Sequence, residues 1–283
     1  MKTTDANSLP AKHYLDAVLS RQKGQFNNKN VIISNELARQ SLNIPLEIEK
    51  LLHCVLSQYS KEIDNQEIQI KKADLFEILG LKGNNRYRDT LIQLKRMIHY
   101  TIVDARIHGK DIIAPVFIKV ESVPQSEFIE ITLNPSFMPH MRDFVTLFTV
   151  LNLESIVRFH SKYSLMLYKH LASWRGAHYA TFQEITTKEL KEVLGLTKND
   201  YVRSTGKFDR SSFERYAVKV AVKEINEKVP GWEVTWGKIK KGNRVQAYYF
   251  HWEDKNRITT HNTEVDDDQI ALDLAFIEEN DKQ

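Results

Sequence analysis

Nine residues, Ala73-Asp-Leu-Phe-Glu-Ile-Leu-Gly-Leu81, recur 115 positions later as Lys188-Glu-Leu-Lys-Glu-Val-Leu-Gly-Leu196, with five of the nine identical. A spacing of that size is the length of a small domain, so the repeat constrains the chain to a duplicated architecture. Each copy reads as a short helix stopped by a glycine, Gly80 or Gly195, which adopts a left-handed C-terminal conformation at little cost. The total of 283 residues accommodates two such domains.

Similar elements surround both copies in the same order. Upstream lie amphipathic helices, residues 45–59 and 153–174. The first opens on Pro45 and repeats Leu46, Ile48, Leu51, Leu52, Val55, Leu56 and Tyr59 at helical spacing. That leucine-rich seam serves a core or a second copy of the chain. Downstream come further helices, residues 87–100 and 211–228, and then paired strands around tight turns. In the first copy the strands are 101–107 and 112–120, around His108-Gly-Lys-Asp111. In the second they are 232–239 and 244–252, around Lys240-Lys-Gly-Asn243. Three helices and a hairpin make a winged helix. The fold expected is α+β, two tandem pseudo-symmetric winged-helix domains: a loose arm over 1–30, domain 1 over 31–148, domain 2 over 149–257 and an acidic tail over 258–283.

The third helix of a winged helix is the one whose size suits the DNA major groove. In the second copy Phe213, Ala217, Val220 and Ala221 form the inward stripe. Ser211, Ser212, Arg215, Lys219 and Lys223 lie outward, with Val222 near them, where it either meets a thymine methyl or packs on a neighbour. Arg203, Lys207 and Arg210 precede the helix as candidate phosphate contacts, and Lys238, Lys240, Lys241 and Arg244 make the wing basic. In the first copy Tyr87, Leu91, Leu94 and Ile98 face inward, leaving Arg86, Gln93 and Arg96 outward beside Asp89, whose carboxylate makes this the weaker reader. Residues 186–257 hold 16 bases and 10 acids, so the second half is expected to dominate DNA affinity.

The formal net charge of +3 conceals an asymmetry. Residues 258–283 hold eight acids and one base, which leaves about +10 on the preceding 257 residues. A body of that sign attracts polyanions, nucleic acid or anionic membrane. The tail is either a solvated end or a competitor for the basic surface. A single cysteine, Cys54, excludes an intrachain disulfide framework, and no apolar run of signal-peptide or membrane-span length occurs, so a cytoplasmic protein is expected. None of the ten histidines forms the His-x-His pair of nicking enzymes, and no phosphate-binding loop ending in Gly-Lys-Ser/Thr is present. Asp266-Asp-Asp268 lacks a second ligand group and reads as solvated charge. His160 and His170 read as packing or solvated residues. No catalytic residue, metal site or cofactor is expected.

Three further stretches carry a family resemblance: Ser34-Asn-Glu-Leu37; Ile131-Thr-Leu-Asn-Pro-Ser-Phe137 followed by Phe148-Thr149; and Ser161-Lys-Tyr-Ser-Leu-Met-Leu-Tyr168. Over residues 31–252 the chain resembles the iteron-binding, theta-type plasmid replication initiators of the RepA, RepB and π class. The resemblance implies monomers that bind direct repeats in double-stranded DNA at an origin, help to open AT-rich DNA and recruit a host initiator and helicase. It also implies a homodimer, in equilibrium with monomer, that represses its own promoter at an operator inverted repeat. The second domain would make the main groove contact, with Ser212, Arg215 and Lys219 facing bases and Arg203, Lys207, Arg210, Lys240 and Lys241 facing the backbone. The first domain would dimerise and add a secondary DNA contact. The acidic tail is not shared with the family. The alternative is a dimeric winged-helix transcriptional regulator with no role in replication.

Overall fold

The computed structural model describes residues 30–39, 44–58, 67–107, 110–137, 148–178 and 182–255. The arm, the acidic tail with Asp266–Asp268, Tyr59 and the His108–Gly109 turn lie outside the described residues, except that Asn30 opens the first strand.

The first unit begins with β1 (Asn30–Ser34), α1 (Asn35–Arg39) and α2 (Leu46–Ser57). Pro45 sits immediately before α2 with φ −57°, where its missing N–H leaves no helical bond unmade. Ile48, Leu51, Leu52, Val55 and Leu56 are all buried, so the leucine seam of this helix is spent on the core. Then follow β2 (Glu67–Lys71), α3 (Lys72–Ile78), α4 (Arg86–Tyr100), β3 (Ile102–Ile107), β4 (Lys110–Pro115), β5 (Phe117–Ser122) and β6 (Phe128–Leu133). The second unit is built of β8 (Phe182–Thr186), α7 (Thr187–Val193), a third helix over residues 210–228, β9 (Trp232–Lys241) and β10 (Arg244–Asp254). Between the units run β7 (Phe148–Asn152), α5 (Leu153–Arg158) and α6 (Lys162–His178).

The two sheets have the same topology, β2-β6-β5 and β8-β10-β9, so the expected pair of pseudo-symmetric winged helices is the observed fold. Both repeated segments end identically. After α3, Leu81 N–H donates to Phe76 C=O and Gly80 N–H to Glu77 C=O; after α7, Leu196 N–H donates to Lys191 C=O and Gly195 N–H to Glu192 C=O. These are the paired bonds of a Schellman motif, and Gly80 and Gly195 take φ of +63° and +64°.

The first wing differs from the one expected. The run 112–120 is not one strand: it breaks at Val116, whose N–H donates to Thr101 C=O. Residues 110–115 pair with β3 as a separate two-stranded hairpin, while β5 leaves it to pair with β6. The counterpart of the second wing is therefore β5–β6, and β3–β4 is an additional hairpin inserted after α4. The helix expected over 153–174 is also interrupted. Phe159 is extended at the end of α5, and the N–H groups of His160 and Ser161 turn outward to the Glu224 carboxylate at 3.0–3.2 Å.

The boundary drawn between 148 and 149 falls at the start of β7. This strand is antiparallel to β1 from Asn30 opposite Asn152 to Ser34 opposite Phe148. Residues 148–152 thus belong to the sheet that opens the first unit. The pairing is reinforced by the buried Thr149 hydroxyl, which donates to Asn35 Oδ1 at 2.6 Å. From there α6 packs on α1 and on the third helix of the second unit.

Candidate nucleic-acid interface

The third helix of the second unit is composite: α8 (Arg210–Phe213), a π-helical turn (Glu214–Val218) and α9 (Lys219–Lys228). Asp209 starts it, accepting the Ser212 N–H and hydroxyl at 3.3 and 3.1 Å. Arg203 donates to the same carboxylate at 3.0 Å. The Arg203 guanidinium, with the Ser212 donors behind it, holds the Asp209 carboxyl at about 2. Arg203 also closes a small loop, its N–H bonded to Lys207 C=O and its C=O to Gly206 N–H. Ahead of the loop Tyr201 takes a φ of 56°, a conformation that strains a side-chain-bearing residue. Its ring packs edge-on against Phe213 at 5.8 Å between centroids.

Phe213, Ala217, Val218, Ala221, Val222 and Ile225 are buried beneath the helix. Val222 therefore belongs to the core and does not face a groove, and Val220 is only half-buried. Ser211, Arg215, Lys219 and Lys223 recur every fourth residue and are all exposed. They form one outward row. Lys223 lies 3.6 Å from Glu227 in an exposed pair, of little energetic weight.

Of the other residues singled out in the sequence, several are part of the framework. Ser212 is held by Asp209. Arg210 is half-buried and donates to Val245 C=O at 2.8 Å, tying the helix start to β10. Lys238 bonds the Glu214 carboxylate at 2.8 Å, so it joins helix to wing rather than extending the tip. Lys240, Lys241 and Arg244 are exposed around the Gly242–Asn243 turn. Gly242 there has φ +61°, as the first position of a type II′ hairpin turn requires. Lys207 is exposed in the loop before the helix. The structure thus brings together on one unit a basic helix row, a basic loop and a basic wing tip.

On α4 the outward face differs from the one read in the sequence. Arg86 is exposed, with its guanidinium 4.8 Å from the Phe76 ring centroid. Gln93 and Arg96 are half-buried and bonded to each other at 2.9 Å. Arg88 and Lys95, seven residues apart and so on one face, are exposed, as is Lys82 in the preceding turn. These three were missed, although the seven-residue spacing of Arg88 and Lys95 is visible in the sequence. Asp89 is drawn to Arg88 at 3.4 Å. The exposed ring of Tyr216, on the π-turn, was missed as well.

A second set of contacts fixes how the third helix meets the rest of the molecule. Glu224 accepts the two backbone N–H groups before α6 and the Lys228 ammonium. Burial raises the Glu224 carboxyl, but Lys228 and the N–H donors outweigh it and hold the group at about 2. Lys50 of α2 donates to Val157 C=O at 2.7 Å. Arg39 of α1 donates to Ser173 Oγ at 3.0 Å, its guanidinium 4.2 Å from the Trp174 ring centroid. Within this frame Lys169 of α6 and Glu49 of α2, both fully buried, form an ion pair.

The fold defines a tandem winged-helix protein, with exposed basic side chains on the third helix and wing of the second unit. Residues 30–172 match the family described as initiator replication protein, WH1, and residues 186–252 match its companion, initiator Rep protein, WH2. The chain belongs to the initiator replication protein family. Among solved structures it is similar to the Pi initiator protein in complex with iteron DNA, at 17% identity and a TM-score of 0.62, covering 82% of this chain and 99% of that one. A structure of domains 2 and 3 of RctB is also similar, at 12% identity and a TM-score of 0.44, covering 74% of this chain and 81% of that one. No curated protein matches the chain. No helix among the described residues is long and apolar enough to cross a membrane.

Proposed function

We propose that this protein initiates plasmid replication by binding repeated double-stranded DNA sites, iterons, at an origin, without turnover of its own. The observation that carries this reading is the set of exposed side chains on the second unit's third helix and wing: the row Ser211, Arg215, Lys219 and Lys223, with Lys240, Lys241 and Arg244 at the wing tip. A helix of this width enters the major groove with its side chains at the base edges, while a basic wing engages sugar and phosphate. Membership of the initiator replication family supports the reading, and so does the shared fold of an initiator crystallised on iteron DNA.

Arg88, Lys95 and Lys82 supply the first unit's contact to the adjacent groove or backbone. On the same reading the protein works in the cytoplasm, opens neighbouring AT-rich DNA, recruits a host initiator and helicase, and as a dimer represses its own promoter. Selection of bound duplexes from a random library near physiological salt tests the proposal. The expected product is an asymmetric site of about two helical turns, one groove contact for each unit. A palindrome would favour a dimeric regulator, and no enrichment would overturn DNA recognition altogether.

A further inference from the structure

The π-turn divides the helix that faces the groove. Such a turn holds one residue more than an α-turn, is rare and occurs frequently at functional sites. Two wing residues anchor this one: the Glu214 carboxylate accepts the Tyr248 hydroxyl at 3.0 Å and the Lys238 ammonium at 2.8 Å. Its effect is visible in what is buried. Phe213 is buried ahead of the turn, Ala217 and Val218 within it, and Ala221, Val222, Glu224 and Ile225 beyond it. An uninterrupted helix would carry the stripe from Ala217 through 220, 221 and 224; here it also takes in Val222 and Ile225, while Val220 is only half-buried.

The added residue is accommodated on the outside, where Arg215 and Tyr216 stand side by side. Tyr216 is 53% exposed, and the Arg215 guanidinium carbon lies 5.2 Å from its ring centroid. Among the large aromatic residues of this unit Phe213, Trp232, Tyr248, Phe250 and Trp252 are buried, whereas Phe182, as exposed as Tyr216, is stacked on Tyr249. An apolar ring held in water beside the basic row has no role in the core.

We propose that the π-turn is a readout device and that Tyr216 is a specificity-determining residue, its ring packing on the C5-methyl of a thymine while Arg215 reads the adjacent guanine. Thymine is the base that offers a methyl group in the major groove, and guanine offers O6 and N7 to a guanidinium fork. Stacking on the ring orients that fork before DNA arrives. The inference rests on the DNA-binding reading above.

The test uses the full chain and its selected site, with each thymine replaced in turn by deoxyuracil, which lacks only the methyl. At one thymine beside a guanine the wild type and Tyr216→Phe are expected to lose about fourfold in affinity, the worth of one buried methyl group. Tyr216→Ala should bind the two duplexes equally at that position. The DNA substitution leaves the protein unchanged, so the wild-type result stands whether or not the alanine variant folds. Wild-type indifference to uracil at every thymine, or an unchanged uracil profile for folded Tyr216→Ala, overturns the inference and leaves DNA recognition intact. Failure of the wild type to select any site would instead remove the reading on which it rests.

Discussion

Arg215 and Lys240 are both exposed, and on the proposed reading they have different tasks. Arg215, in mid-helix, is placed for base edges; replacing it with Ala should cost about 1 to 3 kcal/mol at one base pair and relax specificity there. Binding measured across all single-base variants of the site checks this, and an equal loss on every variant would make Arg215 a backbone contact. Lys240 and Lys241 flank the wing turn, and Lys240→Ala/Lys241→Ala should weaken binding evenly across sequences. The slope of log affinity against log salt should fall by about 1 for each phosphate that is no longer neutralised. Asp209 belongs to the framework, and its carboxyl is depressed to about 2 from an ordinary 3.8. A depressed carboxyl stabilises the fold above its unfolded value and loses that contribution as pH falls through the folded one. Asp209→Asn keeps a capping side chain but loses the charge. The stability advantage of wild type over this variant should therefore shrink between pH 5 and 2, as urea unfolding at a series of pH values would record.

At the scale of elements, what is local was legible and what is distant was not. The glycine-stopped helices were visible because Gly80 and Gly195 follow short apolar-periodic runs, and both end in the same two bonds. Gly195→Ala forces a side chain into φ +64° and should cost about 1 to 2 kcal/mol in chemical denaturation. The copies differ at their starts. Thr186 and Glu189 bond reciprocally in a capping box, whereas Lys71, at the matching place before α3, makes no such bond. Thr186→Ala should accordingly cost about 1 kcal/mol.

The helix break after Arg158 was not legible, because the carboxylate that draws out the His160 and Ser161 N–H groups belongs to Glu224, more than 60 residues away. Nor was the first wing: β5 chooses β6 over β3, and the alternation within 112–120 carries no mark of that choice. The π-turn widens the buried stripe, which leaves Val220 half-buried instead of inward and carries Val222 into the core, the packed one of the two places the sequence left open for it. On α4, Arg96 satisfies Gln93 and so withdraws two residues whose spacing had suggested an outward face.

At the scale of the molecule, the two winged helices are joined through α6. Its N-terminus rests on Glu224, its middle on Glu49 and its later turns on Arg39, so both units meet one helix. The Lys169–Glu49 pair is fully buried, and removing one partner leaves a charge without compensation. Glu49→Leu alone should cost about 3 to 5 kcal/mol, while Glu49→Leu/Lys169→Met should recover most of it, because paired replacement by apolar residues removes both desolvation penalties. Equilibrium unfolding of the single and double variants separates the two cases.

On the proposed reading, two unlike DNA faces joined through one helix suit one protomer spanning an asymmetric site. The most direct test of that claim is the stoichiometry of the complex, measured by sedimentation on duplexes carrying one, two and four copies of the selected site. The account predicts one protomer for each copy, added in step with the number of repeats. Two protomers on a single copy, with no binding by a monomer, would contradict it.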